Sequence, residues 1–345
     1  MLMLHAHGRK HVKRWSSKDL EVLVPPSDGR PGEGVFVFSD RYSVFDFGIM
    51  PDEIPGKGAA SCAMAVRSFE LFEAAGIRTH FLEQVAEDAI RIQLLDVDTD
   101  RTKGRTGPGR TIPLQVIYRL ALPQESSVHR RAAAGTLDQS TVPPYRDAPW
   151  LSEPMVEFTT KYEETDRFIS RSEAAEVGAV EPEILEVVAD LTTTAARTLE
   201  QHCGSIGLAL VDGKAEFGFD ADRQPIMIDH AGTPDENRFY LDGIPVCKEL
   251  LRFLHPGLRE VVQGYVAEGR PRAQWPLPKP LAPEVVAAVA EIYAALTAAW
   301  TAAPPSAAGT QRLARAVENF IAVCGISSEL GQRTGLAAVP SISAR

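Results

Sequence analysis

The sequence has few cysteines and no paired ones. Its four, Cys62, Cys203, Cys247 and Cys324, lie far apart, and no two stand in CxxC spacing. That excludes zinc-ribbon and thioredoxin-like readings. Reduced, mostly buried thiols in a cytoplasmic protein are the expectation. No apolar run approaches the roughly 20 residues of a membrane span. Residues 1–13 mix His, Arg and Lys with too short an apolar run for a secretion signal. Basic residues are outnumbered, 36 Lys and Arg against 46 Asp and Glu, for a net charge of −10. A bulk field of that sign repels nucleic acid but leaves room for a local basic pocket. Neither membrane nor nucleic acid is expected as a partner. His80, His129, His202 and His255 are scattered, with no pair at metal-ligand spacing on one helix, and read as surface or satisfied core residues. No internal repeat is present. At 44% apolar and 24% charged, the balance is that of an ordinary globular chain.

Apolar runs at 20–24 and 34–38 read as strands around a Pro- and Gly-rich loop at 25–32. Residues 59–75 have helical spacing, closed by Gly76. Residues 80–85, 89–95 and 112–122 are strand-like, and 96–110 is a polar loop. The pattern breaks down over 123–150, which marks a lobe boundary. A long amphipathic helix follows at 181–202, then strands at 208–211, 215–219 and 225–228 around a turn at 220–223. Helices are expected at 248–254, 258–267, 283–299 and 310–323, with a loose tail from 331. Strands early and helices late, with strands returning between, give an α+β class.

The sharpest chemical signal is the stretch from Leu210 to Gly218, followed by Ile226-Met227-Ile228-Asp229. In a strand, residues two apart share a face, so Asp212, Lys214 and Glu216 point the same way. Asp229, ending the next apolar strand, joins Glu216 across the hairpin. Two carboxylates beside a lysine suit an ATP-using enzyme, the carboxylates holding Mg²⁺ and the lysine meeting phosphate. A solvent-facing strand laced with salt bridges fits the same pattern. A second signal runs from Phe38 to Asp46. A third, Ile54-Pro55-Gly56-Lys57-Gly58-Ala59, enters a helix. Such a turn offers free N–H groups and a positive dipole end to an anion, although a helix-entry turn with one surface lysine reads identically.

Together these segments resemble the SAICAR synthetase family, whose usual patterns are TDRxSAFD, IPGKG, an arginine-ended strand before a Gly-Ser turn, LxDxKxEFG and DExSPDxxR. Here they stand as residues 39–46, residues 54–58, Arg119 with Ser126-Ser127, residues 210–218, and Asp229 with Thr233-Pro234-Asp235-Glu236-Asn237-Arg238. Residues 153–161, 166–170 and 281–297 also look like family segments, so the resemblance spans roughly residues 8–300 in order. It implies a two-lobed α+β fold related to ATP-grasp, with ATP between the lobes. The lobes would be residues 1–115 for ATP and 116–303 for substrate and metal, with 304–345 an extra helix and tail. It implies ATP- and Mg²⁺-dependent ligation: a carboxylate on a phosphoribosyl-imidazole is phosphorylated, and the amine of aspartate then displaces phosphate.

Carried over, Glu216 and Asp229 are the metal ligands, and Lys214, Glu216 and Asp229 the catalytic set. Lys10 or Lys13, in a hairpin resembling the family's glycine-lysine ATP hairpin, is the phosphate-facing lysine. A basic surface hairpin is the alternative. Arg119, Ser127 and Arg238 hold the substrate's 5′-phosphate, and Asp40, Arg41, Ser43, Asp46 and Lys57 line the substrate side.

Departures cluster on that substrate side. Gln115 stands where the family has glutamate before the arginine strand. Residues 120–127 lengthen the Gly-Ser turn and add Glu125. His230 replaces the glutamate after Asp229, with Ala231-Gly232 inserted. With the ATP and metal residues retained, the expectation is a diverged member that ligates an amine to another carboxylated heterocycle, in a natural-product nucleoside pathway. A housekeeping purine enzyme, a catalytically silent nucleotide-binding protein and a small-molecule kinase remain alternatives. Whether the chain forms a homo-oligomer stays open.

Overall fold

The computed structural model describes residues 12–97, 106–163, 166–325 and residue 336. Two antiparallel sheets organise these residues. The first holds β1 (Val12–Arg14), β2 (Lys18–Val24), β3 (Gly32–Phe38), β4 (Phe81–Ala86) and β5 (Ala89–Leu94), in the order β1-β2-β3-β5-β4. Its inward face alternates with the strand period: Gly32, Gly34, Phe36 and Phe38 of β3 are buried while Glu33, Val35 and Val37 are half-buried. Helix α1 (Lys57–Ala74) packs on this sheet with Phe69 and Phe72 fully buried. It ends at Ala75, and Gly76, at φ 82, turns the chain away.

The second sheet holds β6 (Leu114–Ala121), β7 (Tyr145–Asp147), β8 (Trp150–Thr160), β9 (Phe168–Ile169), β10 (Ala209–Phe219), β11 (Pro225–Ile228), β12 (Asn237–Leu241) and β13 (Ile244–Pro245). Its spine runs β13-β12-β10-β6-β8-β7, with β11 on β10 and β9 on β8. The helices are α2 (Ser127–Ala133), α3 (Arg171–Gly178), α4 (Pro182–Ser205), α5 (Lys248–Phe253), α6 (Leu258–Ala267), α7 (Pro283–Thr301) and α8 (Ala307–Cys324). In α4, Pro182 pre-sets the first turn. Leu185, Val188, Ala189, Thr192, Ala196, Leu199 and Cys203 then form the buried stripe that covers β10.

Three local expectations are corrected. The strands expected at 208–211 and 215–219 are one continuous strand. Asp212, Gly213 and Lys214 are held in it by β6 on one side and β12 on the other. The irregular stretch 123–150 lies inside the second sheet rather than between lobes, because the chain already crosses over between Leu94 and Leu114. That stretch carries α2, whose first turn is capped by Ser126 Oγ accepting from the Val128 N–H at 3.3 Å. Finally, α7 is long and apolar enough to cross a membrane by length and composition. In the fold it packs between α1 and α8, with Val289, Ile292, Ala295, Leu296 and Trp300 in the common core.

Cys62, Cys203 and Cys247 are buried, Cys324 is half-buried, and all are free thiols. Each scattered histidine finds a partner. His80 bonds the Asp229 carbonyl at 2.9 Å, His129 the Leu122 carbonyl at 3.2 Å, and His202 the Trp300 carbonyl at 2.9 Å. His255 meets the Tyr42 hydroxyl at 3.0 Å.

Candidate active site

A cleft of about 290 Å³ opens where the two sheets meet. Its floor is apolar, made by Leu20, Phe36, Ile92, Leu94, Leu95 and Ile228. Its mouth is charged: Lys13, Lys18 and Lys161 face Glu216 and Asp229. Strand β2 delivers Lys18 on the same face as Leu20, and its ammonium lies 5.0 Å from the Phe36 ring centroid. The end of β8 delivers Lys161. The β10–β11 hairpin, with Glu216 opposite Ile228, brings Glu216 and Asp229 to the same rim. Asp229 sits at φ 68, a left-handed backbone unusual for a non-glycine residue, and one that needs support from its surroundings.

Two of the three lysines at the mouth are matched by carboxylates. Lys18 pairs with Asp229, and Lys161 with Glu216. Lys214 Nζ lies 2.9 Å from Glu236 and 3.4 Å from Glu216. Burial works against the charged form of Asp229, but Lys18, His230, Lys214 and Lys161 outweigh it and hold the carboxyl well below its usual range. Burial likewise opposes Lys214, and Glu236 and Asp229 reverse the effect, raising it. His230 is lowered by burial first and by Lys18 second, so its imidazole favours the neutral form. Among the described residues, the acidic and imidazole ligand atoms that converge within 4.8 Å are those of Asp229, His230 and Glu236. Glu216, expected to share a metal with Asp229, pairs with Lys161 on the same rim.

Further along the same face of β10 lies a second polar cluster. Arg119 Nη2 donates to Ser127 Oγ at 3.2 Å, Nε to Glu157 at 2.9 Å and Nη1 to Asp212 at 3.3 Å. Arg238 Nε donates to Asp212 at 2.7 Å. Arg131 of α2 reaches Glu157 at 2.6 Å and lies over the Phe168 ring, 3.8 Å from its centroid. Burial opposes the charged Asp212 carboxylate, but Arg238 and Arg119 hold it below its ordinary value. Asp212, Lys214 and Glu216 thus share one face, as strand alternation requires, and that face is built into the interior rather than left to solvent.

The remaining expected residues are placed differently. Asp40 accepts the Gly56 N–H at 3.0 Å and the Gly58 N–H at 2.8 Å, so the donors expected to await an anion already hold a carboxylate. Gly56, at φ 80, makes the tight entry this needs. Lys57 does not line the cleft. Its side chain has 0% exposure, and its Nζ meets Asp235 at 2.8 Å. A buried ammonium needs such a partner. Arg41 pairs with Asp19 and donates to the Trp15 carbonyl at 3.1 Å, tying its loop to the first sheet. Ser43 donates to Ser16 Oγ at 3.1 Å, and Asp46 is exposed at φ 57. Lys13 stands at the cleft mouth, 5.1 Å from the Trp15 ring. Lys10 lies outside the described residues.

Sequence reading assigned no role to Lys18, Lys161, Glu236, Glu157 or Arg131. The signal for Lys18 was its place two residues before Leu20 on the inward face of an alternating strand. Lys161 and Glu236 lie within the quoted family segments.

The comparisons with known proteins agree with this architecture. The SAICAR synthetase family model matches residues 28–244. A putative phosphoribosylaminoimidazole-succinocarboxamide synthase of Archaeoglobus fulgidus is 35% identical over 302 residues, covering 81% of this chain and 91% of that protein. The synthase of Thermoplasma acidophilum is 34% identical over 211 residues, covering 60% and 69%. Among solved structures, a type-2 SAICAR synthetase in complex with ADP superposes with TM-score 0.55 at 22% identity, covering 78% of this chain and 100% of that one. The Saccharomyces cerevisiae SAICAR synthase complexed with SAICAR gives 0.55 at 17% identity, covering 93% and 97%. These structures share the two-sheet α+β fold. By its sequence and its fold, the chain belongs to the SAICAR synthetase family.

Proposed function

We propose that the chain is an ATP-dependent ligase that joins a carboxylate on an imidazole ribonucleotide to the amine of aspartate. One observation carries the reading: an apolar cleft between the sheets, rimmed by lysines and carboxylates, shares the β10 face with an arginine cluster. The floor suits a purine ring. Lys18, Lys161 and Lys214 suit its phosphates, and one neighbour's ADP complex supports ATP as the co-substrate. Arg119, Arg131, Arg238 and Ser127 offer the forked donors that a 5′-phosphate takes. Asp212 and Glu216 are four residues apart on β10, about 13 Å at strand rise. That leaves room for a ribose and a five-membered ring between the arginines and the cleft.

A carboxylate is a poor acyl donor until one oxygen becomes a phosphate. Its oxygen attacks the γ-phosphorus and ADP leaves. The aspartate nitrogen then adds to the acyl carbon, phosphate leaves with its electron pair, and the amine gives up its proton. The lysines neutralise the triphosphate and the arginines fix the acid. Asp229 and Glu236, joined by Glu216 if a phosphate draws Lys161 away, would hold a divalent ion such as Mg²⁺, which when bound supplies charge compensation for phosphoryl transfer.

A second reading rests on the substrate side. Gln115 donates to Asp166 at 3.1 Å where the family carries glutamate, and the lengthened 120–127 turn leads into α2, which adds Arg131. These favour an altered acceptor acid, as in nucleoside natural-product synthesis. The test is product mass after incubation with Mg-ATP, carboxyaminoimidazole ribonucleotide and L-aspartate. The succinocarboxamide supports the standard acceptor. ADP binding with no product supports the altered one. ADP release without an amine contradicts ligation altogether.

A further inference from the structure

We propose that Asp229, His230 and Glu236 form a mixed nitrogen–oxygen cation site that selects a divalent transition ion of the Mn²⁺ type through the His230 imidazole. The inference rests on the proposed function in one respect, that the ion lies beside a nucleotide's phosphates. His230 is 1% exposed. Its Nδ1 is 3.0 Å from Thr233 Oγ1, which fixes the ring. Its Nε2 has no hydrogen-bond partner among the described residues. That nitrogen faces Asp229 Oδ1 at 3.7 Å and Glu236 Oε1 at 3.8 Å. These separations are too long for hydrogen bonds. Metal bonds of about 2.0–2.2 Å place two ligands of one ion roughly 3 to 4 Å apart. An unpaired buried ring nitrogen is costly, and a cation between the three groups removes that cost.

The donor set decides the ion. Carboxylates alone suit Mg²⁺ and Ca²⁺, while imidazole shifts preference towards the first-row transition ions. Hydrogen bonding at Nδ1 to Thr233 orients Nε2, as the outer partner of a metal-bound histidine does. Glu236 divides its oxygens, with Oε2 accepting from Lys214 at 2.9 Å and Oε1 left facing the ring. Asp229 Oδ1 is shared with Lys18. The ion therefore competes with Lys18, and a phosphate that draws Lys18 away favours the ion. Metal and nucleotide bind cooperatively on this account.

The experiment is electron spin echo modulation on the full-length protein loaded with Mn²⁺, with and without ADP. ADP affinity is measured separately by calorimetry. Imidazole nitrogen modulation is expected in the wild type, stronger in occupancy with ADP. His230→Gln should lose the modulation and bind Mn²⁺ at least about tenfold more weakly, with Mg²⁺ affinity little changed. Glu236→Gln should weaken Mn²⁺ while keeping the modulation, which separates loss of a ligand from loss of fold. No nitrogen modulation in Mn²⁺-loaded wild type, or modulation unchanged in His230→Gln, overturns the site. Failure of ADP to bind counts against the proposed function and leaves the Mn²⁺-alone signal to decide the site.

Discussion

Lys57 shows how one residue's role depends on a partner far away in the chain. In sequence it sits in a glycine turn, where a lysine reads as exposed. In the fold it is sealed from water, and Asp235, 178 positions later, is its counter-ion. Lys57→Met leaves a buried carboxylate unpaired and should cost about 3–5 kcal/mol of stability. The double variant Lys57→Met/Asp235→Leu should recover most of that, read by urea unfolding. A Lys57→Met protein as stable as wild type would return Lys57 to the cleft. By contrast, the common face of Asp212, Lys214 and Glu216 was legible, because strand alternation needs only local sequence. Their partners were not, because Arg119 arrives from β6, Lys161 from the end of β8 and Glu236 from the turn before β12.

At the scale of elements, most helices and strands were legible from period alone: α4, α6 and β11 fall where the apolar spacing placed them. The continuous β10 was not, since Asp212-Gly213-Lys214 at its centre resembles a turn until both neighbouring strands are in place. Helix α8 closes the core through Leu313, Ala316, Val317 and Phe320, all buried against α7 and its surroundings. Phe320→Ala should destabilise by about 3–5 kcal/mol, measured by unfolding, and a loss below 1 kcal/mol would make α8 an appendage. Helices α4 and α7 are tied by His202 and the Trp300 carbonyl. Burial lowers the His202 pKa below its ordinary 6.5. The unfolded chain then binds more protons below that value, so this contribution is present above pH 6.5 and is lost as pH falls beneath it. The unfolding midpoint should drop between pH 7 and pH 5, and His202→Gln should make the drop smaller, the buried His80, His230 and His255 accounting for the remainder. An equal drop in the variant would assign it to other groups.

At the scale of the whole molecule, a chain of net charge −10 gathers lysines at one inter-sheet cleft and arginines beside it. Local fields of that kind attract polyanionic ligands that the bulk charge would repel. Both sheets contribute to the rim, so neither half builds it alone. The central claim is that this rim performs phosphoryl transfer. Its most direct test is ADP release by Lys214→Ala, Glu216→Ala and Asp229→Ala, with Mg-ATP, carboxyaminoimidazole ribonucleotide and aspartate. Cooperative thermal unfolding of each variant is checked in parallel. The account predicts a fall of about a hundredfold or more in each with unfolding still cooperative; near wild-type release in any two would contradict it.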